Sequence, residues 1–205
     1  MQNKKNTSLI LGFCFSLLNG CATMEIVDER DPWESWNRKV HSFNEGLDDY
    51  AVKPVAKGYR WIMPEFVDIA VTNVFSNIDD IGVTINDALQ GKFSQSGLDL
   101  SRFLVNTTAG LGGLIDVATM IDLVKHDEDF GQTLGYWGVP TGPYMVLPFF
   151  GPSSPRGTVG LAGDIAMDPT SYFTFVLSTA IQTVNGIDTR AYYLDMDNMA
   201  EEASV

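Results

Sequence analysis

Residues 31–50 read Asp31-Pro32-Trp33-Glu34-Ser35-Trp36-Asn37-Arg38-Lys39-Val40-His41-Ser42-Phe43-Asn44-Glu45-Gly46-Leu47-Asp48-Asp49-Tyr50. Apolar side chains recur at Trp33, Trp36, Val40, Phe43, Leu47 and Tyr50. Steps of three and four place them on one face of an amphipathic helix. The opening predicts a helix start, with Asp31 as cap, Pro32 at the first position and Glu34 completing a capping box. His41 falls beside the stripe and reads as a helix-surface residue. Pro54 is expected to end this helix, with a short second one over 55–62.

The same period continues outward. After Met63-Pro64-Glu65, apolar residues at Phe66, Ala70, Val74, Ile78, Ile81, Ile85 and Leu89 predict a helix to about Gln90, with Gly91 as its C-cap. Asn77 and the pair Asp79-Asp80 are expected to break it. Helical spacing returns over 95–107 and leads into Gly110-Leu111-Gly112-Gly113, which permits a bend or close backbone approach. Residues 125–135 are polar and turn-rich. The stretch 135–152 carries four prolines and four glycines yet also Tyr136, Trp137, Tyr144, Met145, Val146, Leu147, Phe149 and Phe150. It reads as a long loop with the composition of a core or of a membrane. Strand alternation is confined to 144–150. A short helix is expected over 157–167. Asp168-Pro169 then caps a last helix whose run 171–185 contains no charge, so it is buried or lies in lipid. The fold class is mostly α, in one domain.

The N-terminus sets a compartment. Lys4 and Lys5 precede an apolar run from Leu9 to Leu18, and Leu18-Asn19-Gly20-Cys21 follows. A charged n-region, a short h-region and a small residue before Cys21 describe a lipoprotein signal peptide over 1–20, with the Cys21 thiol taking the lipid. The run is too short for a membrane span. Ala22 after the cysteine favours the outer membrane, and 22–30 read as a tether. Loss of Lys4 and Lys5 with the leader takes the net charge from −13 to −15. Such acidity argues against nucleic acid and against capture by anionic headgroups. Only Cys21 would remain as a thiol, so disulfides and cysteine-based zinc sites are excluded.

Catalytic patterns are missing. His126-Asp127-Glu128-Asp129 lacks the alternating ligands and turn glycine of an EF-hand loop and reads as a solvated turn or cap, so no metal is assigned. Gly151-Pro152-Ser153-Ser154-Pro155 does not fit a nucleophile elbow. Lys92 and Lys125 do not sit in a phosphate loop. The expectation is a non-enzyme without cofactor.

Several blocks resemble the MlaA/VacJ phospholipid-transport lipoproteins. They are 31–38, Lys53-Pro54-Val55-Ala56-Lys57-Gly58-Tyr59-Arg60 with Pro64, Asn86 to Phe93, Arg102 to Thr108, His126 to Gly135, and Gly142-Pro143-Tyr144 with Leu147-Pro148 and Gly151-Pro152. The resemblance covers 31 to about 195. It implies a helical ring lying in the inner leaflet of the outer membrane of a Gram-negative bacterium, with a central amphipathic channel. Through it, misplaced phospholipids would leave the outer leaflet for the periplasmic carrier MlaC, with trimeric porins as companions. Within that expectation, Tyr136, Trp137, Tyr144, Met145, Phe149 and Phe150 are candidates for a loop lining or gating the channel; packing under the ring is the alternative. Gly110, Gly112 and Gly113 are candidates for close helix packing, and Phe43 and Asn44 for a switch. Asn37 and Arg38 are expected to hold helix ends together. Family members usually continue past 189–195 with a Tyr- and Arg-rich segment that this sequence does not carry. An envelope scaffold without transport is the other reading; a hydrolase would need a nucleophile such as Ser153.

Overall fold

In a computed structural model, residues 31–203 are described, and they are predominantly helical. The leader and Cys21 lie outside the described residues. In chain order the elements are α1 (Glu34–Leu47), a π-helical turn (Asp48–Val52), α2 (Lys53–Ile62), α3 (Glu65–Leu89), α4 (Phe93–Thr108), α5 (Val117–Met120), α6 (Phe130–Tyr136), β1 (Met145–Leu147), β2 (Gly151–Ser153), α7 (Pro155–Met167), a 3₁₀ turn (Pro169–Tyr172) and α8 (Phe175–Ala203). β1 and β2 pair antiparallel as a hairpin, with Val146 opposite Pro152.

Several local expectations change. Asp31 does not cap α1. Its carboxylate instead accepts from Asn37 Nδ2 at 2.9 Å, and Glu34 pairs with Arg38 one turn on. Pro54 does not end the first helix. The Lys53 amide donates to the Asp48 carbonyl, five residues back, so one wide turn precedes the proline. Pro54 then occupies the first turn of α2, where its missing N–H leaves no gap. Asn77, Asp79 and Asp80 do not interrupt α3, which runs unbroken for 25 residues. Asp168 accepts from the Thr170 amide and so starts the 3₁₀ turn, not the last helix. The turn-rich 125–135 segment contains α6, capped by Asp129 on the Gln132 amide. Part of the long aromatic loop is the β1–β2 hairpin. The C-cap of α3 is as expected. Gly91 has φ +76°, and the amides of Gly91 and Lys92 close onto the carbonyls of Ala88 and Asp87.

The reason α3 does not break is the direction it faces. Asn77, Asp80, Asn86 and Asp87 are buried along one side of the helix, with Val83 the one apolar residue among them. In α4 the buried residues are Asp99, Arg102 and Asn106. The polar stripes of the two helices meet, while Phe66, Ile69, Ile85, Leu89, Leu98, Leu100 and Leu104 point outward. The two ends of the apolar stripe read from the sequence, Phe66 and then Ile85 and Leu89, are therefore on the outer face, while its middle, Ala70, Val74, Ile78 and Ile81, is half-buried. The buried hydrophobic cluster is small: Ala56 of α2 against Ala191 and Leu194 of α8, with Tyr59 packed on it.

α6 and α7 pack at backbone distance. A Cβ on Gly160 would lie 2.6 Å from Gly131 Cα, and one on Gly163 would lie 2.2 Å from the Phe130 ring.

Candidate functional site

A cavity of about 530 Å³ lies between α3, the start of α6, α7, the 3₁₀ turn and α8. Its walls are of two kinds. Phe75, Ile78, Leu161, Ile165, Ile181 and the hairpin residue Phe150 are apolar; Asp79, Asn86, Glu128, Asp129, Asp164 and Asp168 are polar. No Lys or Arg among the described residues lines it.

The polar wall is held by buried networks. Lys125 Nζ donates to Asp79 and Asp80 at 2.9 and 2.6 Å and to the Ser76 carbonyl at 3.0 Å. Burial lowers the Lys125 affinity for a proton, but the two carboxylates outweigh it and raise its pKa. Arg102, 3 % exposed, lies 3.2 Å from Asp80 Oδ2 and donates to Asp116, Thr119 and the Leu123 carbonyl. Burial pushes the Asp116 carboxyl up, yet bonds from Thr119, Arg102 and Asn106 overcome it and hold it at about 2. Thr133 donates to Asn86 Oδ1 at 2.8 Å and accepts from Gln90, which also donates to Glu128. Glu128 is paired with Lys92 Nζ. Asp164 accepts from the Phe130 amide at 2.8 Å; burial pushes its carboxyl up, the amide opposing.

The hairpin is bolted to α1. Asn37 is buried and donates to the Tyr144 carbonyl at 3.2 Å, and its Oδ1 accepts from the Val146 amide at 2.8 Å. Trp36 Nε1 donates to the Val146 carbonyl. Asn44 donates to the Leu147 carbonyl and accepts from the Phe149 amide, both at 2.9 Å. Phe43 and Phe149 meet edge to face at 5.5 Å. Phe43 and Asn44 therefore hold the tip of the hairpin whose next residue, Phe150, lines the cavity.

The other sequence candidates fall elsewhere. Trp137, at the end of α6, donates to the Leu89 carbonyl and packs edge to face on Phe130. Tyr136, Tyr144 and Phe149 are exposed, and Met145 is half-buried with its sulfur accepting from Thr158. Of the six aromatic-loop candidates only Phe150 lines this cavity. Gly110 and Gly112 shape the turn after α4 instead of a helix crossing; a Cβ on Gly110 would meet the Ile115 carbonyl at 2.2 Å, and Gly112 has φ +77° with open space. Gly113, at φ +91°, fits against the Asn77 side chain of α3. His41 is exposed, 3.3 Å from Glu45.

Sequence reasoning missed the buried carboxylates. Their signal was present, as polar residues at helical spacing in α3 and α4. The outer surface carries the complementary fact. Trp61, Tyr50 and Phe175 are each at least 85 % exposed, with Phe66, Phe93, Tyr172 and Val176 nearly as open. Buried polar groups inside and large apolar groups outside invert the usual partition of a water-facing protein. No described helix is long and apolar enough to cross a membrane.

A family model described as MlaA lipoprotein matches residues 29–205. The intermembrane phospholipid transport system lipoprotein MlaA of Escherichia coli K12 is 37% identical over 195 residues, covering 92% of this chain and 78% of the relative. The Haemophilus influenzae protein of the same description is 33% identical over 156 residues, 73% of this chain and 62% of the relative. An uncharacterized Rickettsia conorii protein is 40% identical over 157 residues, 76% and 61% of the two chains. A solved structure presented as "Structural basis for maintenance of bacterial outer membrane lipid asymmetry" superposes with TM-score 0.73 at 37% identity, over 82% of this chain and 87% of that one.

Proposed function

The chain belongs to the MlaA lipoprotein family, and from that premise we propose that it removes mislocalised phospholipids from the outer leaflet of a Gram-negative outer membrane. Residues 1–20 are the signal peptide, Cys21 carries the lipid, 22–30 tether, and 31–205 form the transport domain. The domain lies in the inner leaflet as a helical ring. Phospholipid passes its amphipathic interior and is handed to the periplasmic carrier MlaC, with trimeric porins alongside. The protein itself catalyses nothing.

The inverted partition carries this reading. A side chain such as Trp61, open to its surroundings, favours an acyl environment by the same term that buries it in a soluble core, about 25 cal/mol per Å² of apolar area. A helix bundle with such a surface and no spanning helix suits an interfacial position held by an acyl anchor. A glycerophospholipid has a charged head and apolar tails, and the cavity has walls for both. Phe150, at the hairpin tip pinned by Asn44 and Phe43, is the gate candidate; Tyr136, Trp137, Tyr144, Met145 and Phe149 support the segment that carries it. Gly113 seats the 109–115 turn on α3.

The test is outer-leaflet phospholipid in a deletion strain, read as the product of an outer-membrane acyltransferase. The expected result is accumulation in the deletion, cured by wild type, and not by Cys21→Ala or by Phe149→Ala/Phe150→Ala. No accumulation in the deletion would remove the transport reading and leave an envelope scaffold.

A further inference from the structure

We propose that Asp87, Asp99 and His126 form a binding site for a divalent transition-metal ion of the zinc class, which ties α3, α4 and the segment before α6 together. One ligand atom from each of the three lies within 4.8 Å of the others. Asp87 sits in the last turn of α3, Asp99 one turn into α4, and His126 on the strand of chain that leads to the cavity residues Glu128 and Asp129. The site is thus assembled from two consecutive helices and the segment before α6.

The cluster carries carboxylates without hydrogen bonds. Asp87 is fully buried, and neither of its carboxylate oxygens has a hydrogen-bond partner. The His126 Nδ1 atom is likewise buried and makes no hydrogen bond, while standing at ion-pair distance from both carboxylates, 3.2 Å from Asp87 Oδ2 and 3.7 Å from Asp99 Oδ2. Asp99 is 1 % exposed and receives only Gln95 Nε2, at 3.2 and 3.3 Å. The neighbouring cations are engaged elsewhere. Lys92 Nζ stands 3.8 Å from Asp87 Oδ1 but is bonded to Glu128, and Arg102 is committed to Asp80 and Asp116. Two adjacent buried carboxylates beside an imidazole nitrogen are costly unless a positive charge, a metal ion or a proton, sits among them.

The donor set selects the cation. One imidazole nitrogen and two carboxylate oxygens suit zinc and its first-row neighbours better than calcium or magnesium, which prefer oxygen alone. The second imidazole nitrogen has a carboxylate at ion-pair distance, beyond hydrogen-bond reach. Nδ1 faces the carboxylates while Nε2 faces Glu128 Oε1 at 3.9 Å, and Glu128 is itself held by Lys92 and Gln90. A ligating histidine usually directs its second nitrogen to such a carboxylate. The His126 side chain is 35 % exposed, which gives an ion a way in. Three protein ligands leave a fourth position for water. The ion would act as a staple for the cavity wall, independent of whether phospholipid is the cargo.

The full-length lipidated protein in detergent, stripped with EDTA, is given zinc chloride, and metal content and thermal midpoint are measured after gel filtration. Wild type is expected to retain zinc and to melt at higher temperature with it. His126→Gln is expected to weaken zinc binding at least about tenfold, while His41→Gln on the surface of α1 behaves as wild type. Cobalt reconstitution of wild type, which needs no variant to fold, is expected to give visible bands of a low-coordinate ion. The competing arrangement is a proton shared between Asp87 and Asp99. It predicts no zinc retention, an aquo-ion cobalt spectrum, and an Asp99→Asn protein as stable as wild type with or without zinc. Any of these, or equal zinc binding by His126→Gln, overturns the proposal.

Discussion

Asn37 illustrates how single polar side chains organise this protein. It sits on the second turn of α1 with its amide committed on both sides: to Asp31, to the Tyr144 carbonyl and from the Val146 amide. Removing it strands the buried Val146 amide, at roughly 1–3 kcal/mol, and frees the part-buried Tyr144 carbonyl and the Asp31 carboxylate. Asn37→Ala is therefore expected to destabilise by about 2–4 kcal/mol, with a lowered denaturation midpoint and faster amide exchange at Val146. Unchanged exchange at Val146 would mean the hairpin is held by its own pairing. The sequence leads to the expectation that Asn37 and Arg38 hold helix ends together; Asn37 instead holds α1 to the hairpin, and Arg38 pairs with Glu34 of its own helix. The partners of Asn37 were not legible, because Tyr144 and Val146 lie more than a hundred positions away.

At the scale of elements, the α4–α5 corner is a polar joint. Asp116 caps α5 on the Thr119 amide and receives Arg102 and Asn106 of α4. Its folded carboxyl is held at about 2, below the 3.8 of a free aspartate. A depressed carboxyl contributes stability at pH values above its unfolded range, and that contribution is lost as pH falls. The corner is thus expected to keep its full strength above about pH 4 and to weaken as pH drops through about 2. In Asp116→Asn this part of the acid dependence should disappear, measured by urea unfolding across that window. The same acid slope in wild type and variant would place it elsewhere. The helices themselves could be read from spacing, since propensity and period are local. Where they stop was less legible. A wide turn absorbs Pro54, and tertiary partners for Asn77 and Asp80 carry α3 through residues that look like a break.

At the scale of the whole molecule, charge and polarity oppose each other. The chain is formally −13, and the cavity is lined by Asp79, Glu128, Asp129, Asp164 and Asp168 without a Lys or Arg among the described lining residues. Lys125 and Lys92 compensate two of these from behind. A headgroup bearing an ammonium is attracted into such a wall and a purely anionic one is repelled. Purified protein, incubated with mixed vesicles and analysed by native mass spectrometry, is expected to retain phosphatidylethanolamine in excess of phosphatidylglycerol relative to the bulk. Enrichment of the anionic lipid would mean that the cargo's head does not meet these carboxylates.

Helix class, the position of the aromatic Pro/Gly segment, the caps at Gly91 and the lipoprotein leader pattern ahead of Cys21 follow from the sequence by itself. Each depends on neighbours within a few residues, where periodicity, φ preference and side-chain size act directly. Only the tertiary structure decided which face of α3 and α4 is inside. Spacing alone defines two stripes on a helix, one apolar and one polar, and assumes that water takes the polar one. Here Asp80 and Arg102 face each other across the helix pair, Lys125 reaches in to join them, and Ile85, Leu89 and Leu104 are left outside. That choice depends on partners brought from distant segments to satisfy buried charge, and on the medium beyond the surface, neither of which local sequence encodes.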